Sequence, residues 1–349
     1  MRFDLNTITR DNIKKVVAYS SARDEFSGEA SIFLDANENS LGSPLMKWYN
    51  RYPDPYQKKI KESLSRIKGI APEQIFIGNG SDECIDLLFR CFCEPAKDNV
   101  IICPPTYGMY EVSAAINDIE IKKVLLTPEF QLDLEGIENA IDDHTKIIWL
   151  CSPNNPTGNS INYQDIEVLL NNFDGLIIVD EAYINFAKQR SFISELKEYP
   201  NLVVLQTLSK AWGLAALRLG MAFASKEIIE LLNRIKPPYN INQATQDLVL
   251  QALEEVGQVN DMIKIIVQLR DQLAQALLEI PGVEKIYPSD ANFILVKIKN
   301  ARKLYEFLLE DGIVVRDRSK VKLCEDCLRI TIGTETENQK LLERIKEFK

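Results

Sequence analysis

The sequence predicts an α/β protein in which a large domain with a mostly parallel seven-stranded sheet flanked by helices is joined to a small α+β domain. Seven short apolar runs alternate with helical patterns, which is typical of a parallel sheet covered on both faces. A single hydrophobic core usually stops growing at about 250–300 residues, and this chain has 349. The element pattern also changes near residue 280, which favours a second, smaller unit.

The seven runs that predict strands share a high content of Val, Ile and Leu, and lie at 74–77, 100–103, 121–126, 146–151, 175–180, 202–207 and 219–224. Helical patterns between and after them fall at 82–92, 162–172, 226–236 and 244–256. A long amphipathic helix is predicted at 259–280. It ends at Pro281 and Gly282, where a helix cannot continue.

The remaining sequence predicts a small unit with strands at 283–287, 292–298, 313–316 and 328–332 and helices at 301–310 and 336–348. We therefore divide the chain into an N-terminal arm (1–33), a large domain (34–258) and a small C-terminal domain (259–349). The arm is polar and rich in turn residues, and we expect it to pack on the small domain or on a second subunit.

Composition excludes several classes of partner. The chain carries 41 basic and 51 acidic residues, a formal charge of −10, with no basic cluster suited to nucleic acid or anionic membrane. No apolar stretch approaches the ~20 residues of a membrane-spanning helix, and the N-terminus lacks the apolar core of a signal peptide. These features predict a cytoplasmic protein.

The seven cysteines are odd in number and lie mostly in apolar runs, which favours reduced core thiols. Cys324 and Cys327 have C-x-x-C spacing, but the chain offers only one histidine, His144, as a nitrogen ligand. We therefore predict no metal site. The single histidine also argues against Ser-His-Asp and Cys-His catalysis.

Polar side chains follow the ends of several predicted strands. Lys210 comes three residues after the run 202–207 ends, where desolvation and a nearby cation can lower the pKa of its amine enough to make it a nucleophile. Taken alone, Lys210 would be interpreted as an exposed surface lysine. Asp180 ends the run 175–180 and Asn155 follows the run 146–151, and ligands of open α/β sheets bind at such carboxyl ends.

A glycine turn precedes the first predicted helix of the large domain. Gly80 and Ser81 stand between the run 74–77 and the helix 82–92, and N–H groups at such a helix start bind anions. Ser209 and Arg218 are further donors on the other side of the same predicted sheet edge. Together these residues predict half of a phosphate-binding cup.

The motifs S-P-N-N-P-T-G at 152–158, D-E-A-Y at 180–183 and T-L-S-K…R at 207–218 resemble the class I and II aminotransferases, in order and spacing. The resemblance extends over almost the whole chain, including L-D-A-N-E-N at 34–39 and R-Y-P-D-P at 51–55. It implies a fold-type-I enzyme that depends on pyridoxal 5′-phosphate (PLP). Lys210 would hold the cofactor as a Schiff base and act as the catalytic base.

The resemblance also implies roles for the remaining cofactor residues. Asp180 would keep the ring nitrogen protonated, Asn155 and Tyr183 would hydrogen-bond the ring hydroxyl, and Tyr107 would stack on the ring. The phosphate cup would be formed by Gly80, Ser81, Thr207, Ser209 and Arg218. Tyr52 would reach the phosphate of a neighbouring subunit, which implies a homodimer with shared active sites.

At the substrate end, Arg329 in L-R-I-T-I-G and Arg316 in V-V-R-D-R are suited to a carboxylate or phosphate. Within the family the chain resembles the histidinol-phosphate aminotransferase branch in A-Y-S-S-A-R at 18–23, G-N-G-S-D-E at 78–83 and I-V-V-R-D-R at 313–318. That branch implies transfer of an amino group from histidinol phosphate to 2-oxoglutarate, giving imidazole-acetol phosphate and glutamate. Tyr19 and Asn37 would line the substrate pocket.

Three alternatives share parts of this pattern. A threonine-phosphate decarboxylase and an aromatic amino-acid aminotransferase would have the same fold and cofactor residues. A PLP-fold regulator without turnover is the third, but such proteins typically carry a fused DNA-binding domain, and no basic helix-turn-helix segment is present. The chain has V-A-Y-S-S where the branch commonly has P-Y-x-P, and Trp212 where it commonly has Phe, so the shape of the pocket stays open.

Overall fold

A large, mostly parallel sheet forms the centre of the molecule. The computed structural model describes residues 3–19, 32, 34–45, 47 and 49–348. The strands are β1 (Ile75–Asn79), β2 (Asn99–Ile102), β3 (Glu120–Lys123), β4 (Thr145–Cys151), β5 (Leu176–Asp180), β6 (Leu202–Thr207) and β7 (Leu219–Phe223). Their order is β1-β7-β6-β5-β4-β2-β3, and only β7 runs antiparallel to its neighbours. The predicted seven-stranded sheet is confirmed.

Helices cover both faces of this sheet. The described ones in the first 252 residues are α1 (Leu5–Ile8), α2 (Asp11–Lys15), α3 (Lys58–Lys68), α4 (Ser81–Phe92), α5 (Met109–Ile116), α6 (Leu134–Ala140), α7 (Tyr163–Asn172), α8 (Lys226–Ile235) and α9 (Gln243–Ala252). The sequence predicted α4, α7, α8 and α9 and missed the others. Helices α5 and α6 span only two turns, too few to show a clear period of 3.6. Helix α3 consists mostly of polar residues and buries a narrow stripe that includes Ile60 and Leu64.

Alternate residues of the central strands pack into different cores. In β5, Ile177 and Val179 belong to the core on one face, whereas Leu176 and Ile178 belong to the core on the other. All four are fully buried. Strands buried on both faces need helices on both sides, which explains why these runs are continuously apolar.

The small unit is an antiparallel sheet covered by three helices. Its strands are β8 (Val283–Ile286), β9 (Phe293–Ile298), β10 (Arg316–Asp317) and β11 (Cys327–Thr331), in the order β10-β11-β9-β8. Its helices are α10 (Val256–Leu278), α11 (Ala301–Glu310) and α12 (Glu335–Glu347). The strand predicted at 313–316 is present only as the two residues of β10. A capping box between Thr334 and Glu337 fixes the start of α12.

Helix α10 contributes to two cores. Val259, near its start, packs into a core of the large domain, whereas Leu273 and Leu277, near its end, pack into the core of the small unit. The helix therefore joins the two units as a rigid element. The domain boundaries at 33 and 258 stay a prediction.

The described part of the N-terminal arm packs on the large domain. Ile8 and Ile13 are buried in the core that contains α4. The backbone N–H of Arg10 donates to the Cys91 carbonyl at 3.1 Å, and its guanidinium pairs with Glu94 at 3.0 Å. Residues 3–15 thus pack on the large domain, and the packing of the arm on the small domain or on a second subunit stays a prediction. Most of the segment 18–23 lies outside the described residues.

All seven cysteines are buried and carry free thiols. Desolvation raises the pKa of Cys324 and Cys327 to about 12, so both thiols stay protonated at neutral pH. Protonated, buried thiols are poor nucleophiles. The C-x-x-C pair therefore packs as part of the core.

Gly220 of β7 lies directly beneath the first turn of α4, and we expect Gly220→Ala to destabilise the protein. A Cβ at this position would lie 2.1 Å from the Ser81 amide nitrogen and 2.3 Å from the Gly80 carbonyl carbon. Both are backbone atoms, so the turn must shift, at a cost of about 1–3 kcal/mol. The melting temperature should fall. The matched control is Gly257→Ala in α10, where no atom lies within 4 Å of the new Cβ and no fall is expected. Equal melting temperatures for the two variants would contradict this account.

Candidate functional site

A cavity of about 790 Å³ lies at the carboxyl ends of the central strands. Its floor is formed by the last residues of β4, β5 and β6, which are Cys151, Asp180 and Thr207. The small sheet closes the cavity from the other side. Its polar lining includes Ser81, Asp82, Tyr107, Asn155, Tyr183, Ser209, Lys210, Arg218, Arg316, Arg318 and Arg329. The carboxyl edge of a parallel sheet is where such folds bind ligands.

The Asp180 carboxylate is buried at the end of β5. It accepts hydrogen bonds from the Tyr110 hydroxyl at 2.8 Å and from the Ala182 amide at 3.1 Å. Desolvation raises the pKa of Asp180 to about 6, and the hydrogen bond from Tyr110 opposes that rise. Asp180 is therefore mainly ionised at neutral pH. Sequence reasoning missed Tyr110, which stands in the first turn of α5 and packs edge-on against Tyr107, with ring centroids 5.6 Å apart.

The neighbouring Glu181 does not line the cavity. Its carboxylate accepts from the Ser191 hydroxyl, the Phe192 amide at 2.7 Å and the Gln206 side chain at 2.8 Å. Desolvation raises the pKa of Glu181 to about 7. This buried network ties the loop after β5 to β6, and so fixes the two strand ends that carry Asp180 and Lys210.

A cradle for an anion lies where two loops interlock. The Gly80 amide donates to the Arg218 carbonyl at 2.7 Å, and a Cβ on Gly80 would lie 2.7 Å from Nη2 of Arg218. Both residues have positive φ, 76° at Gly80 and 52° at Arg218. The backbone turn can therefore approach the guanidinium only with glycine at position 80.

Hydroxyl groups and a helix start complete this cradle. Ser81 is the first residue of α4, and the Thr207 hydroxyl lies 3.0 Å from that of Ser209. Unpaired N–H groups at a helix start, hydroxyls and one guanidinium together suit a phosphate group. The structure thus brings together all five residues that the sequence predicted for the phosphate cup.

Lys210 follows β6 and opens onto the same cavity. Its Nζ lies 5.6 Å from the centroid of the Tyr183 ring. Desolvation, followed by repulsion from Arg329, lowers the pKa of Lys210. The two aromatic residues of the site are both fixed: Tyr183 packs edge-on against Phe293 at 5.1 Å, and the Tyr107 hydroxyl donates to Asp82 at 3.2 Å.

The small sheet contributes arginines to the opposite wall. Nη1 of Arg329 donates to Oδ1 of Asn155 at 2.5 Å, and its guanidinium lies 5.2 Å from the centroid of the Phe293 ring. Arg316 and Arg318 line the cavity beside it. The sequence had predicted Arg329 and Arg316 but missed Arg318. The signal was available, because residues two apart on a strand point to the same face.

Three predicted residues do not reach this cavity within the same chain. Tyr52 is half exposed and stacks on Tyr239 at 4.5 Å between ring centroids, in a groove that also contains Asn37. Tyr19 is exposed and lines a separate groove near Lys236. The positions of Tyr52, Asn37 and Tyr19 therefore leave their predicted roles untested within one chain.

The sequence profile of the family described as aminotransferase class I and II matches residues 36–345. The chain belongs to this family. A histidinol-phosphate aminotransferase from Cytophaga hutchinsonii is 55% identical over 348 residues, covering 100% of both chains. The crystal structure of the histidinol-phosphate aminotransferase from Clostridium acetobutylicum has a TM-score of 0.79 at 26% identity and covers 86% of this chain and 90% of its own. L-threonine-O-3-phosphate decarboxylase from Porphyromonas gingivalis matches with a TM-score of 0.73 at 24% identity, covering 86% and 91%, and shares the fold.

The family is PLP-dependent, and the cavity of this aminotransferase fits that cofactor. The buried carboxylate of Asp180 would suit a protonated ring nitrogen, and the Lys210 amine, whose pKa is lowered, would suit an aldehyde carbon. The cradle at Gly80, which a Cβ would fill, matches a phosphate. In the described part of the chain, no helix is long and apolar enough to span a membrane.

We expect Glu181→Gln to change how the stability of the protein depends on pH. The pKa of Glu181 is about 7 in the folded chain and 4.5 in the unfolded one, so the folded state keeps a proton that the unfolded state has released. Stability from this group is therefore fully present below about pH 4.5 and is lost as the pH rises to about 7. Glutamine carries no such proton, so the melting temperature of Glu181→Gln should fall less than that of the wild type over this interval.

The control is Glu343→Gln, which removes an exposed carboxylate on α12 and should leave the wild-type pH dependence in place. Asp180, also raised, contributes equally to all three proteins. Identical pH profiles for Glu181→Gln and the wild type would show that Glu181 titrates outside this range.

Proposed function

We propose that this aminotransferase transfers the amino group of histidinol phosphate to 2-oxoglutarate, giving imidazole-acetol phosphate and glutamate. One observation carries the proposal: a lysine of lowered pKa and a buried carboxylate share a cavity with three arginines on its opposite wall. One substrate carries a phosphate and the other carries carboxylates, and arginine clusters bind both anions. The names of relatives at 51–55% identity over nearly the full chain support the same substrate.

In this proposal the floor of the cavity holds the cofactor. Asp180 pairs with the ring nitrogen, Asn155 and Tyr183 bind the ring hydroxyl, and Tyr107 packs on the ring face. The phosphate is held by Gly80, Ser81, Thr207, Ser209 and Arg218. When bound, PLP supplies an electron sink for the charge that develops at the substrate Cα. Tyr110 keeps the Asp180 carboxylate oriented and ionised.

Lys210 is the proposed catalytic base. Because the pKa of its amine is lowered, a larger fraction is neutral at physiological pH than for an ordinary lysine. The neutral amine would accept the proton of the substrate Cα and hold it as an ammonium group within the cavity. Desolvation is the first cause of the lowered pKa, and Arg329 adds repulsion as the second.

We further propose a homodimer in which Tyr52 binds the cofactor phosphate of the partner subunit. Tyr52 is held by stacking on Tyr239 while half of its surface stays exposed, so a second subunit can contact it. Asn37 lies in the same groove, and Tyr19 is exposed on the described end of the arm. The same arrangement would let Asn37 and Tyr19 contribute to the partner's substrate pocket.

Two predictions from the sequence concern the location of the protein and its alternative activities. The cytoplasmic location stays a prediction. Of the alternative activities, threonine-phosphate decarboxylation is supported here by likeness of fold alone, and neither it nor an aromatic amino-acid specificity is favoured by a particular contact.

We expect Lys210→Ala to lower turnover of histidinol phosphate and 2-oxoglutarate by about a thousandfold or more, because it removes both the cofactor attachment and the base. Glutamate formation is measured, together with the absorbance band of the cofactor bound to lysine, which should be absent. Lys188→Ala, which changes an exposed lysine, is the matched control and should keep both. Turnover near the wild-type level in Lys210→Ala would refute the mechanism.

Mixing two inactive variants tests the shared site. If Tyr52 acts across the dimer, a heterodimer of Lys210→Ala and Tyr52→Phe subunits has one site with both changes and one with neither. Mixed and exchanged subunits should therefore be more active than the average of the two unexchanged homodimers. No gain after exchange, or full activity in a monomer, would exclude the shared arrangement.

A further inference from the structure

Arg318 continues the ladder between β10 and β11. In this ladder Arg316 lies opposite Arg329, and Asp317 lies opposite Leu328. One residue further on, the Arg318 amide donates to the Cys327 carbonyl at 2.9 Å. Arg318 is therefore held by a backbone hydrogen bond in the extended segment, and its position relative to Arg329 is fixed.

The strand pattern divides these side chains between two faces. Side chains alternate along a strand, so Arg316 and Arg318 share a face, and Arg329, which lies opposite Arg316, shares it too. All three line the cavity. Asp317 points to the other face, where it accepts from Arg302 of α11 at 3.2 Å. The nearest acidic neighbour in sequence thus binds a different arginine.

Two guanidinium groups on this wall have donors without acceptors. Nε of Arg318 and Nε of Arg329 are both buried, and within the described part of the chain no atom accepts a hydrogen bond from either. Desolvation and then repulsion from Arg316 lower the pKa of Arg318; desolvation and then repulsion from Arg318 lower the pKa of Arg329. An arginine nevertheless stays protonated. Buried donors of this kind are unfavourable unless a ligand satisfies them.

We propose that Arg318 acts with Arg329 as the phosphate-selective part of the substrate site, so that Arg318 determines preference for a phosphate-bearing amine over a carboxylate-bearing one. The inference rests on the proposed function, because it concerns which residue distinguishes the two substrates of that reaction. Arg329 alone can bind a carboxylate through two parallel hydrogen bonds. Arg318 adds a second pair of parallel N–H donors. A carboxylate whose two oxygens already accept from Arg329 cannot also accept in this way from Arg318.

Charge and geometry both favour this division. A phosphate monoester carries nearly two negative charges at neutral pH and has three terminal oxygens that accept hydrogen bonds. It can accept from two guanidinium groups at once and relieve the repulsion between them. A carboxylate has one charge and two oxygens, so it gains little from the second arginine.

The two half-reactions of the holoenzyme separate these cases. Arg318→Gln should lower kcat/KM for histidinol phosphate by about 10- to 100-fold, as expected for loss of hydrogen bonds to a charged group, with most of the change in KM. The same variant should keep kcat/KM for glutamate within about twofold. Arg318→Lys keeps the charge but loses the paired N–H donors. Its kcat/KM for histidinol phosphate should lie between those of the wild type and Arg318→Gln.

Arg302→Gln is the matched control. It removes an arginine from the other face of the same segment, where Arg302 pairs with Glu306 and Asp317, and both half-reactions should stay close to the wild-type rates. An equal loss for both substrates in Arg318→Gln, or no loss for either, would overturn the inference and leave the proposed function standing. A loss for both substrates in Arg302→Gln as well would mean that the segment itself had shifted, which would also overturn it.

Binding of inorganic phosphate gives a second readout that does not depend on turnover. In the holoenzyme the cofactor phosphate would occupy the cup at Gly80. Calorimetric titration with inorganic phosphate would then measure binding to Arg316, Arg318 and Arg329 on the opposite side of the cavity. Arg318→Gln should weaken this binding about tenfold or more, and Arg302→Gln should not. If the wild type fails to use histidinol phosphate, the proposed function is wrong, yet this titration still decides the inference. Unchanged phosphate binding in Arg318→Gln would overturn it.

Discussion

The Asp180 carboxylate, buried at the end of a fully apolar strand, is the charge around which the site is built. Removing a carboxylate from water costs several kcal/mol even after relaxation, about as much as an entire buried side chain contributes. Two hydrogen bonds, from Tyr110 and Ala182, offset part of this cost without neutralising the charge. The remaining imbalance favours a cationic ligand at the floor of the cavity. Lys210, which opens onto the same cavity, is a cation that lowers the pKa of Asp180.

A stack of aromatic rings in the core beside Asp180 fixes the orientation of the Tyr110 hydroxyl. Tyr110 can reach Asp180 only because its ring is stacked on Trp149, with centroids 5.0 Å apart, and Trp149 is stacked in turn on Phe89 at 5.2 Å. These three aromatic residues come from α5, β4 and α4. Packing of large rings in a dense core leaves little room for alternative orientations. The orientation of one hydroxyl is thus set by helices on the same face of the sheet.

Sequence reasoning was accurate where a residue's role is local. The seven strands are apolar runs, and Asp180 ends one of them while Asn155 and Lys210 follow two others within four residues, so the pattern placed these residues near one edge of the sheet. Their roles were predicted from the resemblance to the family. Sequence reasoning failed where the role of a residue depends on contacts between different strands or helices. Arg318 becomes significant only through the register of β10 against β11, and Tyr110 only through the stacking on Trp149. The short helices α5 and α6 were missed because two turns carry too little periodicity. The contact of residues 3–15 with the large domain was not predicted, because few apolar residues, such as Ile8 and Ile13, do not reveal which surface they cover.

The way helix α10 is shared between two cores limits how this chain can be divided. Val259 belongs to one core, and Leu273 and Leu277 belong to the other. A fragment that ends before α10 would expose the pocket that Val259 fills, and a fragment that begins after it would leave the small sheet without one of its covering helices. The core that contains Val259 also contains Phe293 and Leu295 of β9, so this core is shared between the two units. An exchange of substrate specificity between relatives would therefore have to replace cavity-lining residues, such as the arginines of the small sheet, rather than a whole domain.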